Sequence, residues 1–201
     1  SLMSRPVKEV DYADITGSPF FNSNWKAATL FTGTGKVFVT KTKLNLFTNE
    51  VHYIHPSGTE FSIDAGVIKK IVFYTNADTA TILSEFIFVK AMEDSKMHYL
   101  QELNKGETQL YKLNSISLIK KDYNPIEGKT PYGFTYHTEY YLYYAGAITK
   151  LKGLKKKSLF EIMLPDTFSE AWLKTNDNKL NNEPDFISFL DYYNTIPAEQ
   201  K

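Results

Sequence analysis

The chain has 201 residues, 23 Lys and Arg against 23 Asp and Glu, no cysteine, and an aromatic content set by 14 Tyr and 14 Phe. That length suits one domain, or one domain with a small appendage, and is enough to bury a core. A formal net charge of zero argues against a protein built to hold nucleic acid or an anionic membrane, and the absence of cysteine excludes disulfides and thiolate metal sites.

Residues 1–18 are polar and show no sustained period, so they read as an arm with one short strand over 7–10. Ser1-Leu2 ahead of Met3 reads as a cloning scar, with a leader expected to have been removed before it. Gly17-Ser18-Pro19 then breaks the chain, and Phe20, Phe21 and Trp25 follow as an aromatic plug expected to pack over the sheet.

From Ala27 to Tyr74 the runs are rich in Val, Ile, Thr, Phe and Tyr, punctuated by Gly33-Thr34-Gly35, Thr48-Asn49-Glu50 and Pro56-Ser57-Gly58. That composition predicts an antiparallel meander. Val37 and Val39 share one alternating face and Leu44 and Leu46 the other, so the long second strand must bulge or break near Lys41. Such a phase change suits a sheet that curls toward a barrel or sandwich.

Strand structure resumes at Ile82–Lys90, and Asn104-Lys105-Gly106-Glu107 marks a hairpin between the runs MHYLQEL and TQLYKLNSISLIKK. Residues 122–132 form the longest loop. In the next strand Phe134, Tyr136, Tyr140, Leu142 and Tyr144 share one face, expected to lie on the core. Tyr141 and Tyr143 share the other, expected to be the more exposed. Gly146 allows a bend, after which the chain continues as a last strand or a hairpin return.

After Lys155 the period changes from 2 to 3.6. Ser158 and Glu161, and again Thr167 and Glu170, have capping-box spacing, and Asn182 with Pro184 opens a third helix carrying Phe186, Phe189, Leu190 and Tyr193. The expected fold is therefore α+β and mainly β. It has an arm over 1–18, an antiparallel β body over 19–157, and a helical segment over 158–201 packed on that body as one structural unit. Residues 1–160 carry 20 basic and 15 acidic side chains against 3 and 8 in 161–201, or +5 and −5. An acidic tail docking on a basic body and an ordinary solvated surface both fit this.

The segments Gly17-Ser18-Pro19-Phe20-Phe21-Asn22 with Trp25, LNLFTNEVHY at 44–53, and DFISFLDYYNT at 185–195 resemble a group of uncharacterised exported proteins of Bacteroidota-type bacteria. Lys155-Lys156-Lys157 and Tyr193-Asn194 stand where that group has a Lys-rich stretch and a closing Tyr-Asn pair. The resemblance implies export to the periplasm or cell surface, and it brings no activity.

The chemistry-bearing residues give no motif. His52 and His55, three apart in a strand, point to opposite faces; His98 and His137 would have to meet across a sheet. Gly128-Lys129-Thr130 is not a phosphate loop, because Tyr123 stands where the first Gly belongs and a strand follows. Gly33 and Gly35 lack a third Gly, since Phe38 occupies its place, and no G-x-S-x-G is present. No cofactor or metal is expected. The one basic cluster is Lys150, Lys152, Lys155, Lys156 and Lys157. With Tyr141 and Tyr143, Lys150 and Lys152 are the candidate binding residues for an anionic or lipid-headgroup partner, and a solvated edge strand is the competing reading. The expected function is a non-enzymatic envelope binding protein, its partner a protein or envelope component. A carrier of an apolar or amphipathic ligand in a lipocalin-like cavity is the alternative, and an enzyme of unrecognised type the third. Nucleic acid and a membrane-spanning segment are not expected, since no apolar run reaches about 18–20 residues.

Overall fold

The computed structural model describes residues 4–7, 15–77, 81–90, 97–123, 125–126, 128, 130–176 and 179–197. It is mainly β. Among these residues twelve strands come first: β1 (Arg5–Pro6), β2 (Ile15–Thr16), β3 (Lys26–Phe31), β4 (Lys36–Asn45), β5 (Glu50–Ile54), β6 (Glu60–Ile63), β7 (Lys70–Tyr74), β8 (Ile82–Lys90), β9 (Met97–Glu102), β10 (Gln109–Lys120), β11 (Tyr132–Tyr144) and β12 (Ala147–Leu151). Three helices follow, α1 (Lys156–Phe160), α2 (Thr167–Thr175) and α3 (Glu183–Thr195). Of the expected arm strand over 7–10, residues 8–10 lie outside the described residues, and β1 sits just before it.

The chain forms two compact units, one of Ser1–Phe88 with Asn114–Thr138 and the other of Val89–Leu113 with Glu139–Lys201. Their boundaries fall within β8, β10 and β11, and so cut across the expected segments 19–157 and 158–201.

In the first unit the strand order is β1-β6-β5-β4-β3-β7-β8. The meander holds for β3 to β6, each strand antiparallel to the next. It then fails, because β7 pairs with β3 rather than with β6. The bulge expected near Lys41 is present: Lys26 lies opposite Thr42 but Ala28 opposite Val39, so β4 holds one extra residue there. The shift turns Thr42 and Leu44 inward, where Leu44 is buried, as are Leu30, Val51, Ile63, Ile71, Phe73 and Phe86. Phe21 closes on it, 4.8 Å from Phe86 and edge-on. β2 pairs parallel with β11, unlike the antiparallel pairs of β3 to β6.

In the second unit the strand order is β9-β10-β11-β12. Leu110, Leu142 and Leu151 meet Leu159, Met163, Trp172, Leu173, Phe186, Phe189 and Leu190 of the helical segment. The β11–β12 turn is Ala145-Gly146, both with positive φ (49° and 84°), the pairing that a two-residue hairpin needs to match strand twist. Helix caps follow the sequence only in part. Asn182 caps α3, its side chain accepting from Asp185 N, with Pro in the first turn. The other two boxes do not form. α2 is capped by Asp166, which accepts from Ser169 N, and α1 starts after Lys155 with Ser158 buried inside it. Aspartate one residue earlier competes for the same amides as Thr167, and its charge favours the helix N-terminus.

The closing Asp191 and Asn194 have a structural task. Asn194 Oδ1 accepts from Thr108 N at 2.9 Å, and its Nδ2 donates to Thr108 O and Lys105 O at 2.8 and 3.1 Å. Asp191 accepts from Asn104 Nδ2 at 3.1 Å. Together they clamp the β9–β10 turn onto α3. Gly106 (φ +131°) lies so close that a Cβ there would stand 2.3 Å from Asn194 Nδ2.

Candidate functional site

In the first unit one cross-strand row carries the polar side chains. Lys43 of β4 lies opposite His52 of β5, His52 opposite Ser62 of β6, and Ser62 opposite Arg5 of β1. Direct partners project from the same face, and residues two along share it, which adds Asn45, Glu50 and Glu60. The opposite face carries Leu44, Val51 and Ile63 and belongs to the core.

The approach to this polar face is shaped locally. Residues 19–21 run beside the end of β4, with Leu46 N bonded to Pro19 O and Phe21 N to Leu44 O. Alternation then sends Phe21 into the core and Phe20 over the polar face, where its ring stands edge-on to His52 at 5.2 Å. Asn45 is 1% exposed and accepts from Phe47 N and Thr48 N, closing the turn that continues through Asn49 (φ 56°). This turn brings Thr48 and Glu50 to the rim. The result is a cleft of about 750 Å³ lined by Arg5, Pro6, Val7, Phe20, Asn45, Thr48, Glu50, His52, Glu60 and Ser62. Its volume falls in the range of small-molecule sites, about 300–1,000 Å³.

His52 is the centre of the polar network. Its Nδ1 lies 2.7 Å from Glu60 Oε1. An ionised carboxylate only accepts, so Nδ1 carries a proton, and when the ring is neutral Nε2 holds the lone pair. Nε2 is buried and has no hydrogen-bond partner among the described residues. Glu50 Oε2 stands 3.8 Å from it, beyond hydrogen-bonding range. Glu50 is otherwise held by the Thr48 hydroxyl (3.0 Å) and by Arg5, whose guanidinium also reaches Asp64 at 3.1 Å. Lys43 Nζ lies over the rings of Trp25 and Phe20, 4.5 and 5.0 Å from their centroids. Burial lowers its pKa, and the Glu60 charge partly restores it.

The residues named from sequence lie in the second unit. Tyr141 is opposite Lys150 and Tyr143 opposite Ile148. Glu139 joins the first pair, accepting from Tyr141 Oη at 3.1 Å and from Lys150 Nζ at 2.5 Å. Lys152 is not gathered with them; its Nζ bonds Glu161 at 3.0 Å and holds that carboxyl below the usual range. The expectation that Tyr141 is exposed is corrected, since it is 4% exposed while Leu142 on the other face is fully buried. Both faces are covered at that level of β11. In the middle of the strand, over residues 136–138, both faces are exposed, and Tyr136, placed on the core face by alternation, is 53% exposed with its hydroxyl bonded to Ser18 O at 2.5 Å. On the face of Tyr140, Glu183 accepts from the Tyr140 hydroxyl and from Lys112 Nζ, both at 2.8 Å. Burial first, and this carboxylate second, push the Tyr140 pKa up to about 12.

Of the four histidines, His55 and His137 hold serine hydroxyls, of Ser57 and Ser117. Sequence alone does not single out the His52 constellation. Its signal was the run of polar residues at i and i+2, Glu50 with His52 and Glu60 with Ser62, in neighbouring short strands. No set of three or more His, Asp or Glu among the described residues is arranged to hold a metal ion. Compared with protein-family models, curated proteins and solved structures, the chain matches none of them.

Proposed function

We propose that this chain is a binding protein whose ligand occupies the cleft of the first unit. The observation that carries the reading is His52 Nε2, a buried ring nitrogen without a hydrogen-bond partner among the described residues, beside a cleft of ligand size. A buried polar atom without a partner costs about 1–3 kcal/mol, a cost that a bound donor would remove. The envelope, periplasmic or at the cell surface, is the proposed location, on the likeness of residues 17–25, 44–53 and 185–195 to exported proteins. The test is a fragment titration followed by backbone amide shifts. Ligands should perturb residues 45–52 and 60–62, and Thr48→Trp, which fills the rim from an exposed position, should abolish the shifts. Fragments that map elsewhere, survive Thr48→Trp, or do not bind at all would refute it.

A carrier with a curled sheet is the second reading, and the connection 64–69 favours it. It joins β6 to β7, four steps apart in the order β6-β5-β4-β3-β7. In register, Ile63 is level with Leu44, and Lys70 is level with Phe31, about seven residues further along β3. In a flat sheet that separation is about 30 Å, from about 4.8 Å per strand and about 3.3 Å per residue. Six linking residues reach at most about 25 Å, and residues 64–67 are spent in a turn. Curling toward a barrel or sandwich shortens the path. On this reading native mass spectrometry of protein purified without detergent would show a bound apolar ligand, and a bare mass would count against it.

A further inference from the structure

Resting on the cleft as the binding site, we propose that its ligand is an organic amine, a primary ammonium group on an apolar body. Three observations on the same face select this chemistry.

The first is hydrogen-bond polarity. With Nδ1 committed to Glu60, the free nitrogen of neutral His52 accepts. Glu50 Oε2, 3.8 Å away, also accepts. One N–H donor centre about 2.9 Å from each would close the gap between them. A carboxylate or phosphate would set a third acceptor against these two. A hydroxyl carries a single proton and satisfies only one of them. An –NH₃⁺ group satisfies both and keeps a third proton for Glu60 or water.

The second is charge. Arg5 and Lys43 share this face with Glu50, Glu60 and Asp64, so with the His52 ring neutral two cations stand against three anions and one negative charge is left over. Both cations are engaged, Arg5 by Glu50 and Asp64 and Lys43 by the rings of Phe20 and Trp25. An anionic ligand would add to that negative charge, whereas a monocation balances the site.

The third is the wall. Pro6, Val7 and Phe20 line the cleft beside the carboxylates, which offers an apolar surface to the body of the amine. The His52 side chain is only 7% exposed, and the half-buried Phe20 ring lies against it. Docking of the ammonium on Nε2 therefore includes a swing of Phe20, whose ring then packs on the ligand.

The experiment titrates the full chain with n-hexylammonium, n-hexanol and n-hexanoate, reading the His52 ring nitrogens by long-range proton–nitrogen correlation. Hexylammonium should saturate and shift the Nε2 resonance, hexanol should bind at least tenfold more weakly, and hexanoate should not bind. Glu50→Gln should weaken hexylammonium tenfold or more with the β circular dichroism unchanged. The amine assignment is overturned, with the cleft surviving as a site, if hexanol or hexanoate matches hexylammonium there. It is also overturned if Glu50→Gln binds the amine as well as the parent does. If none of the three perturbs cleft residues while other fragments do, the amine class falls alone; if nothing perturbs them, the cleft reading falls too. The three-probe comparison uses the parent chain, so the outcome does not hinge on a variant that folds poorly.

Discussion

Phe189→Ala is the sharpest test of how the second unit is held together. Phe189 is fully buried on α3, and its ring meets Trp172 at 5.3 Å and Phe160 at 6.2 Å, both edge-on, and stacks on Tyr193 at 6.0 Å. Truncation removes the transfer energy of a phenyl ring and leaves a cavity, a combination that costs about 3–5 kcal/mol. The edge-on and stacked pairs place the cost at the upper end of that range, since each contributes about 0.5–1.5 kcal/mol beyond its area. Against a total stability of about 5–15 kcal/mol this is a third or more. The chain carries one tryptophan in each unit, Trp25 and Trp172. In a Trp25→Phe background, urea unfolding followed by Trp172 fluorescence then reports the second unit alone. With a slope of about 2 kcal/mol per molar urea, the midpoint should fall by about 2 M. A fall below about 0.5 M would mean that the three aromatic contacts do not form the core, and the helix packing described above would be wrong.

Three further outcomes are expected. Tyr140 keeps its proton in the fold up to about pH 12 through burial and Glu183; its contribution to stability is thus complete below its ordinary value near 10 and lost as pH rises through about 12. Absorbance titration at 295 nm should show this late phase, and Glu183→Gln should move it toward 10; a Glu183→Gln titration that superimposes on the parent would discount the bond. Asn194→Ala leaves the Thr108 amide, on a residue 3% exposed, without its acceptor. The cost should be about 1–3 kcal/mol, with faster hydrogen exchange across residues 104–110, and unchanged protection there would refute the clamp. Tyr141→Ser should destabilise the second unit by about 3 kcal/mol or more, because a buried ring is removed; a variant within 1 kcal/mol of the parent would restore Tyr141 to the surface.

Much of the local architecture is legible in the sequence, for reasons that act over a few residues. Period-2 runs mark the strands. The clash of phase between Val37-Val39 and Leu44-Leu46 places the β4 bulge, because a side chain on the wrong face cannot be buried. Asn182 followed by Pro184 marks the start of α3, and Gly146 the bend after β11. Rival caps one residue apart, as at Asp166 and Thr167, are settled only by which amides the packed helix presents.

What the tertiary structure alone decided is which distant segments meet. Nothing near Lys70 states that β7 pairs with β3 instead of β6, since strand runs of similar composition are interchangeable until the whole sheet is packed. Tyr141 illustrates the same limit: alternation assigns it a face, but whether that face is covered depends on what the rest of the chain lays over it. His52 illustrates it most clearly. Its own strand shows only an isolated histidine, while its chemistry comes from Glu60 eight residues on, Phe20 thirty-two residues back, and Arg5 on an added edge strand. Hydrogen bonds and charges act over a few ångströms of space, whatever the separation along the chain. Sequence patterning therefore determined the elements and their buried faces, and the fold determined the site.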